Sequence, residues 1–470
     1  MTASPTLVWL RNDLRIADNP ALHAAEHDGR PVIAIYVHET DPELRPVGAA
    51  TRWWLHHSLV ALEADLAQHG IVFEVLSGQA GAVLEKFAHD KDAAAIHWNR
   101  RYAPAERDLD AAIKSKLRKT GITVTSHPGN LLVEPWMIET GQHKPYSVFT
   151  PFWKSLRNIP IEAPLPAPKK RAARKTRSVD GGYDIPFWAP KMAQYWTIGE
   201  AGARDALGAF LDERLADYPD GRDIPAKDLT SRLSPHLRFG EISPRQIWRA
   251  ARMRADAEPT LAGPVEKFLS ELAWREFSYH QLYHRQDIAE ISMQRKYEGM
   301  RWRHAPNDLA AWQAGQTGIP IIDAGMRELW ETGYMHNRVR MLVASFLSKN
   351  LLTDWRLGEK WFWDCLVDAD MANNPASWQW VAGSGLDAAP YFRIFNPVTQ
   401  GERFDASGDY VRRWVPEIAE LSDKFVHKPW EAAASDLTAE GIVLGKTYPR
   451  PIADLKATRQ RALDASAALS

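Results

Sequence analysis

The chain has 470 residues, more than one ordinary core holds, so two domains are expected. Apolar residues make up 45% and charged residues 25%, a soluble globular composition, and no apolar run is long enough to span a membrane. A formal net charge of -1 confines any nucleic-acid surface to a local patch, and one cysteine, Cys365, excludes a disulfide framework and fits a reducing cytoplasm.

The N-terminal stretch "MTASPTLVWLRNDLR" lacks a basic-then-apolar signal pattern. Short apolar, partly β-branched runs at 6–10, 31–37, 71–76, 93–98 and 122–126 predict strands. Helical spacing fills 52–70, 80–90 and 104–121 between them. This alternation predicts an α/β, doubly wound, Rossmann-like parallel sheet over 1–130. A proline-rich, then basic stretch follows, so 131–198 is expected to be an interdomain linker. Its run Lys169, Lys170, Arg171, Arg174, Lys175, Arg177 reads as a solvated face before it reads as a DNA contact. From 199 to 470 strand signals nearly vanish; 199–218, 264–284, 323–350 and 359–370 carry helical spacing, and an all-α domain is expected.

Several motifs have ordinary explanations. "GSGLDA" (383–388) matches a dinucleotide pattern but follows no strand, so it reads as a turn. The pair His56–His57 lies inside a helix pattern. No zinc spacing, nucleophile elbow or Walker loop is present, and no metal is expected. Twenty tryptophans fit large cores, or else a protein that stacks on flat ligands or moves electrons. In "TSRLSPHLRFGEISP" (230–244) the Ser-Pro pairs mark helix starts, whose free N–H groups either take ordinary caps or bind anions. "ELAWREF" puts Glu271, Trp274 and Arg275 within one helical turn, and "MHNRVRM" sets Asn337 and Met341 on one face near Arg340. "DADMANNPASWQW" (368–380) crowds acids, amides and indoles together. Singly each is ordinary structure. Jointly they describe a pocket for a large, flat, phosphorylated ligand.

These stretches also carry a resemblance. "LVWLRNDLRIADNPAL", "YSVFTPFWK", "RDIPAKDLTSRLSPHLRFGEISPRQIW" and the region from "WREF" to "AAPYFRIFNPVTQGERFD" resemble DNA photolyases of the photolyase/cryptochrome family, in order and along essentially the whole chain. "WWLHHSLVAL" and "LGKTYPRPI" resemble the bacterial class III branch of cyclobutane-dimer photolyases. The resemblance implies FAD in the helical domain and light-driven repair of cyclobutane pyrimidine dimers by electron transfer from the reduced cofactor. It implies that Tyr218, Thr230, Ser231, Arg232, Leu233 and Ser234 hold phosphates and ribose. Phe268 stands where many relatives have tryptophan, and Arg275 belongs to the same cofactor set. Arg340 is expected to pair with Asp368 beside the ring system, Asp370 and Asn374 to contact the flavin or its frame, and Asn337 to face the flavin N5. Trp378, Trp355 and Trp302 are expected to relay electrons from the surface.

Trp274 and Trp380 are expected to wall the substrate cleft, since flat bases stack on indoles. Glu271 would be a buried, protonated carboxyl hydrogen-bonded to a base edge, with Met341 packed on the dimer. Arg222, Arg338, Arg393 and Gln400 are the expected phosphate contacts. Damaged DNA is the expected partner of a cytoplasmic monomer with no obligate protein partner. The α/β domain is expected to hold an antenna chromophore. Ala105–Glu106 replaces the Asn-Glu pair of relatives that bind 5,10-methenyltetrahydrofolate, so only the Glu106 carboxylate is kept. Class III resemblance favours the folate, with a deazaflavin or second flavin as alternatives. A (6-4) photolyase would carry histidines where Asn337 and Met341 stand. A cryptochrome-type blue-light receptor without repair would alter the cleft or add a long tail, whereas Glu271, Trp274, Met341 and Trp380 are all present and the chain ends shortly after "GKTYPRPI".

Overall fold

A computed structural model describes residues 4–174, 179, 185–285, 287–387 and 393–469; Lys175 and Arg177 of the basic run and Ala388 of "GSGLDA" lie outside them. The chain forms two compact units, residues 1–216 with 231–286 and residues 217–230 with 287–470.

The first unit is built on five parallel strands, β1 (Thr6–Leu10), β2 (Val32–Glu39), β3 (Val72–Gly78), β4 (Ala95–Asn99) and β5 (Thr123–His127), in the order β3-β2-β1-β4-β5. The helices α1 (Pro20–His27), α2 (Ala49–Gln68), α3 (Ala80–Asp90) and α4 (Pro104–Lys119) connect them. Every residue of β1 and β4 is buried, as a parallel sheet covered on both faces requires. Leu7, Trp9, Ile35, Leu84, Trp98 and Leu117 form part of one core cluster, with Trp9 edge-on to Trp98 at 5.5 Å. Sequence reading placed each strand within two residues and missed α1, although Asn19 and Pro20 announce it. The Asn19 side chain accepts from the Leu22 N–H and Pro20 takes the first helical position.

The expected boundaries at 130 and 199 do not coincide with the units. The eight residues Phe149–Leu156 form a helix whose Phe149, Phe152 and Leu156 pack on Ala273 and Phe277 of the helix Ala262–His284. Each such buried side chain contributes on the order of 2 kcal/mol. The Leu132 N–H donates to Glu276 at 2.7 Å, and Arg15 donates to the Gly240 carbonyl at 2.9 Å. Apolar residues recurring every three or four positions inside 131–198 thus anchor most of that stretch to the first unit.

Glu276 is 3% exposed, and burial pushes its carboxyl up to about 7 against the opposing pull of Arg275. The unfolded chain releases this proton near pH ~4.3. The native state therefore binds it more tightly, and that contribution, full below about pH 4.3, is lost as pH rises through 7, a change of at most ~4 kcal/mol. Glu276→Gln is expected to shrink the difference between melting temperatures at pH 5 and pH 8. An unchanged difference in thermal melts would refute the assignment.

The second unit is helical around one large core that includes Trp312, Leu329, Val339, Phe346, Trp355, Phe362, Trp378 and Tyr410. The apolar spacing over 323–350 predicts helix. The chain forms Pro320–Thr332, a stop at Gly333, and a new helix Asn337–Ser345. Gly333 has φ +70°, the left-handed conformation that ends helices and that glycine adopts without strain. Among the described residues no helix is long and apolar enough to cross a membrane, and no group of His, Cys, Asp or Glu is arranged to hold a metal.

Candidate functional site

In the second unit the acids and amides of 368–374 organise a buried polar floor. Asp368 receives both terminal nitrogens of Arg340, at 3.1 and 2.9 Å, while Arg340 Nε donates to the Met335 carbonyl at 2.7 Å. The carboxylate is 4% exposed and the guanidinium 23%. Burial lowers the Arg340 pKa, but Asp368 outweighs it and the net shift is upward. Fork-to-fork pairing fixes the position of both charges. Asp370 accepts from the N–H groups of Ala372 and Asn373 at 2.8 and 2.6 Å, so it caps the turn into the helix Asn373–Ala382. Asn374 is buried and donates to the carbonyl and carboxylate of Glu359 at 3.0 and 2.8 Å. Both side chains are thus tied to nearby backbone.

The same helix carries Trp378, 2% exposed, edge-on to Phe362 at 5.0 Å and to Trp312 at 6.2 Å. Gly358 lets it approach: a Cβ there would fall 2.1 Å from the indole Cη2. Trp355 is fully buried in this core, and Trp302 packs on it from a partly exposed position. The indole N–H groups of Trp355 and Trp378 are buried and have no hydrogen-bond partner among the described residues. Trp380 and Met341 are partly buried at the core's margin.

Asn337, expected to face the flavin N5 and the substrate, is exposed at the first residue of the helix Asn337–Ser345. The helix is capped by His336, whose Nδ1 accepts from the Arg338 N–H at 3.2 Å. Burial pushes the His336 ring down to about 4, so it is neutral at pH 7. Arg338 donates to Asp223 at 2.7 Å, and Arg222 lies 3.9 Å from the same carboxylate. Asp223, which sequence reading passed over, thus gathers two of the expected phosphate contacts; its place beside Arg222 in "GRD" was the available signal. Arg338 also lies over Phe404 and Arg222 over Tyr218, at 4.4 and 5.5 Å. Tyr218 is 6% exposed. Arg393 is exposed, and Gln400 lies partly buried on the helix Pro397–Phe404. Thr230, at the edge of this unit, is partly buried.

In the first unit, Ser231, Arg232 and Leu233 lead into the helix Ser234–Phe239. Arg232 has φ +51°, a backbone conformation uncommon for a side-chain-bearing residue, and its guanidinium lies 4.3 Å from the Trp196 ring centre. Such strain at a loop-to-helix junction is a feature of ligand-binding turns. The second Ser-Pro pair is an ordinary cap. Ser243 accepts from the Gln246 N–H at 3.0 Å and Gln246 returns the bond at 2.8 Å, a capping box. Phe268 is buried, tilted against Phe210 at 4.5 Å.

Three further expected site residues lie on the helix Ala262–His284. Arg275 donates to the Asn130 carbonyl at 2.9 Å and to Glu276 at 3.1 Å. Glu271 is 26% exposed, not fully buried as expected, and receives the Lys267 ammonium at 3.0 Å. Trp274, three residues on, is stacked flat against Phe149, with ring centres 3.7 Å apart and planes at 8°, and keeps partial exposure. In the first turn of α4, Glu106 accepts from the Ala103 N–H at 3.3 Å and lies 4.0 Å from Arg101. Burial raises its pKa, and Arg101 lowers it in part.

Residues 268–468 match the model of the FAD binding domain of DNA photolyase, and residues 6–169 match the DNA photolyase model. A deoxyribodipyrimidine photo-lyase of Agrobacterium fabrum is 46% identical over 100% of this chain and 99% of its own. Cryptochrome-2 of Arabidopsis thaliana is 35% identical over 97% of this chain and 77% of its own. The crystal structure of a bacterial class III photolyase from Agrobacterium tumefaciens superposes with a TM-score of 0.95 at 47% identity, covering 100% of this chain and 98% of that one.

Proposed function

The chain belongs to the DNA photolyase family, and on that premise we propose that it is a deoxyribodipyrimidine photo-lyase, which binds FAD and repairs cyclobutane pyrimidine dimers in DNA by light-driven electron transfer. The residues fit the cofactor. The second unit offers a buried Arg340–Asp368 pair, a polar floor at 370–374 and buried indole N–H groups without partners. When bound and reduced, FAD supplies the light-excited electron that opens the cyclobutane ring. Arg340 and Asp368 orient its ring system, and Tyr218 and Thr230 of the same unit take its phosphates and ribose. Asn337 joins Arg338 and Met341 on the substrate side.

The observation that carries repair over a receptor role is the pairing on one helix of a partly exposed indole, Trp274, with a ligand-accessible carboxylate, Glu271. A dimer flipped from the duplex stacks on the indole while the carboxylate accepts a hydrogen bond from a base edge. The test is dimer loss from an irradiated oligonucleotide under near-ultraviolet or blue light, with a dark control. Absence of light-dependent loss in FAD-loaded protein overturns the proposal in favour of the receptor.

Arg222, Arg338 and Arg393, with Gln400, take DNA phosphates in this reading, and the protein works as a monomer. Three neutralised phosphates correspond to a loss of affinity of roughly fortyfold between 50 and 200 mM salt. Binding of a dimer-containing oligonucleotide that is indifferent to salt refutes the phosphate assignment. Trp302, Trp355 and Trp378 relay an electron inward from solvent. Phenylalanine is much harder to oxidise than tryptophan, so Trp302→Phe is expected to photoreduce oxidised FAD roughly tenfold more slowly. The same variant, reduced with dithionite, should repair at the parent rate. Parent-like photoreduction would remove Trp302 from the relay. The first unit takes an antenna chromophore near Glu106, the folate by preference. A violet absorption band distinct from the flavin bands supports it, and a deazaflavin or second flavin extracted from the protein replaces it.

A further inference from the structure

We infer that Lys267 is a second base-recognition residue that works beside Glu271 and reads the carbonyl of a thymine-type edge; the inference rests on the reading of Glu271 and Trp274 as the dimer-facing pair. Lys267 and Glu271 lie one turn apart on the helix Ala262–His284, with Nζ donating to Oε1 at 3.0 Å. Their side chains keep 44% and 26% exposure, so the pair lies at the surface of the helix. An exposed pair at this spacing contributes little to helix stability. The indole of Trp274 follows within the next turn, its face set by the flat stack on Phe149.

The pair offers an acceptor and a donor side by side. The imide edge of thymine presents a carbonyl, an N–H and a second carbonyl. The Glu271 carboxylate accepts from the N–H, and the Lys267 ammonium donates to the adjoining carbonyl. Cytosine carries an amino donor at that position, which faces the ammonium donor to donor. The ion pair therefore selects a thymine edge without requiring a protonated carboxyl. Negative charge that reaches the dimer during ring opening collects on the carbonyl oxygens, where a fixed ammonium stabilises it.

The test uses the FAD-loaded, dithionite-reduced protein and two oligonucleotides, one with a thymine–thymine dimer and one with 5-methylcytosine replacing a thymine of the dimer. Lys267→Met is expected to repair the thymine dimer roughly tenfold more slowly, the cost of one charged hydrogen bond, and the methylcytosine dimer no more slowly than the parent. Lys267→Arg should restore most of the preference, and FAD content should match the parent in both. Unchanged repair of both dimers by Lys267→Met, or an equal fall on both, overturns the inference, the equal fall marking a plain phosphate contact. Glu271→Ala separates this from the reading beneath it. Parent-like repair by that variant sinks the dimer-facing site altogether. Its failure, together with an unchanged base preference in Lys267→Met, sinks Lys267 alone.

Discussion

Glu271→Ala is expected to lower repair of a thymine dimer about a hundredfold, the scale on which loss of one group aimed at a reacting centre is felt. The carboxylate stands on the helix Ala262–His284, whose packing depends on Ala273 and Phe277, not on position 271. Alanine keeps the helix, since it is the best helix former. What is lost is an acceptor for the base N–H and the partner that orients Lys267. The ammonium that remains keeps its exposure to water, so the fold carries no stranded buried charge. FAD content and the melting temperature should therefore stay near parent values while repair collapses. Flavin loss on purification of the variant would move Glu271 to a structural role.

Asp323→Ala is expected to destabilise the protein by about 4 kcal/mol or more, which shifts the folding equilibrium roughly a thousandfold. One carboxylate, fully buried in the second unit, collects four donors. Oδ1 takes the Thr317 N–H and hydroxyl at 2.6 and 2.7 Å, and Oδ2 takes the Gly318 N–H and the Tyr448 hydroxyl at 3.0 and 2.7 Å. Burial pushes the acid up to about 6, with Thr317 and Tyr448 opposing. Alanine leaves all four donors buried and unpaired, each costing ~1–3 kcal/mol. The Asp323→Asn variant keeps one acceptor oxygen, and its stability should fall between those of the parent and Asp323→Ala. The carboxyl's raised position also fixes a sign: its contribution is full below the unfolded value near pH ~3.9 and declines as pH rises through 6. Chemical denaturation of the two variants at pH 7 checks the order, and equal stabilities would show that Asp323 is not the hub of that turn.

Much of the chain's organisation was legible from one sequence because it rests on local rules. Strand periods and glycine stops located the five strands to within two residues, since a buried parallel strand reads as a continuous apolar run whatever lies beside it. The second Ser-Pro pair could be read as a cap because a capping box spans only four residues. The resemblance named the family because long ordered motifs survive as sequence. Tertiary structure alone decided the strand order β3-β2-β1-β4-β5 and the assignment of 131–198 to the first unit, both set by packing between distant segments. It alone exposed Asn337 and buried Asn374 against Glu359, because exposure is set by what packs around each position. Asp223 sits 115 residues from Arg338, and only the fold could bring the two within 2.7 Å. The Lys267–Glu271 pair is local, and its spacing was in the sequence. Which of its neighbours stay open to water was not, since exposure is set by everything that packs around the helix.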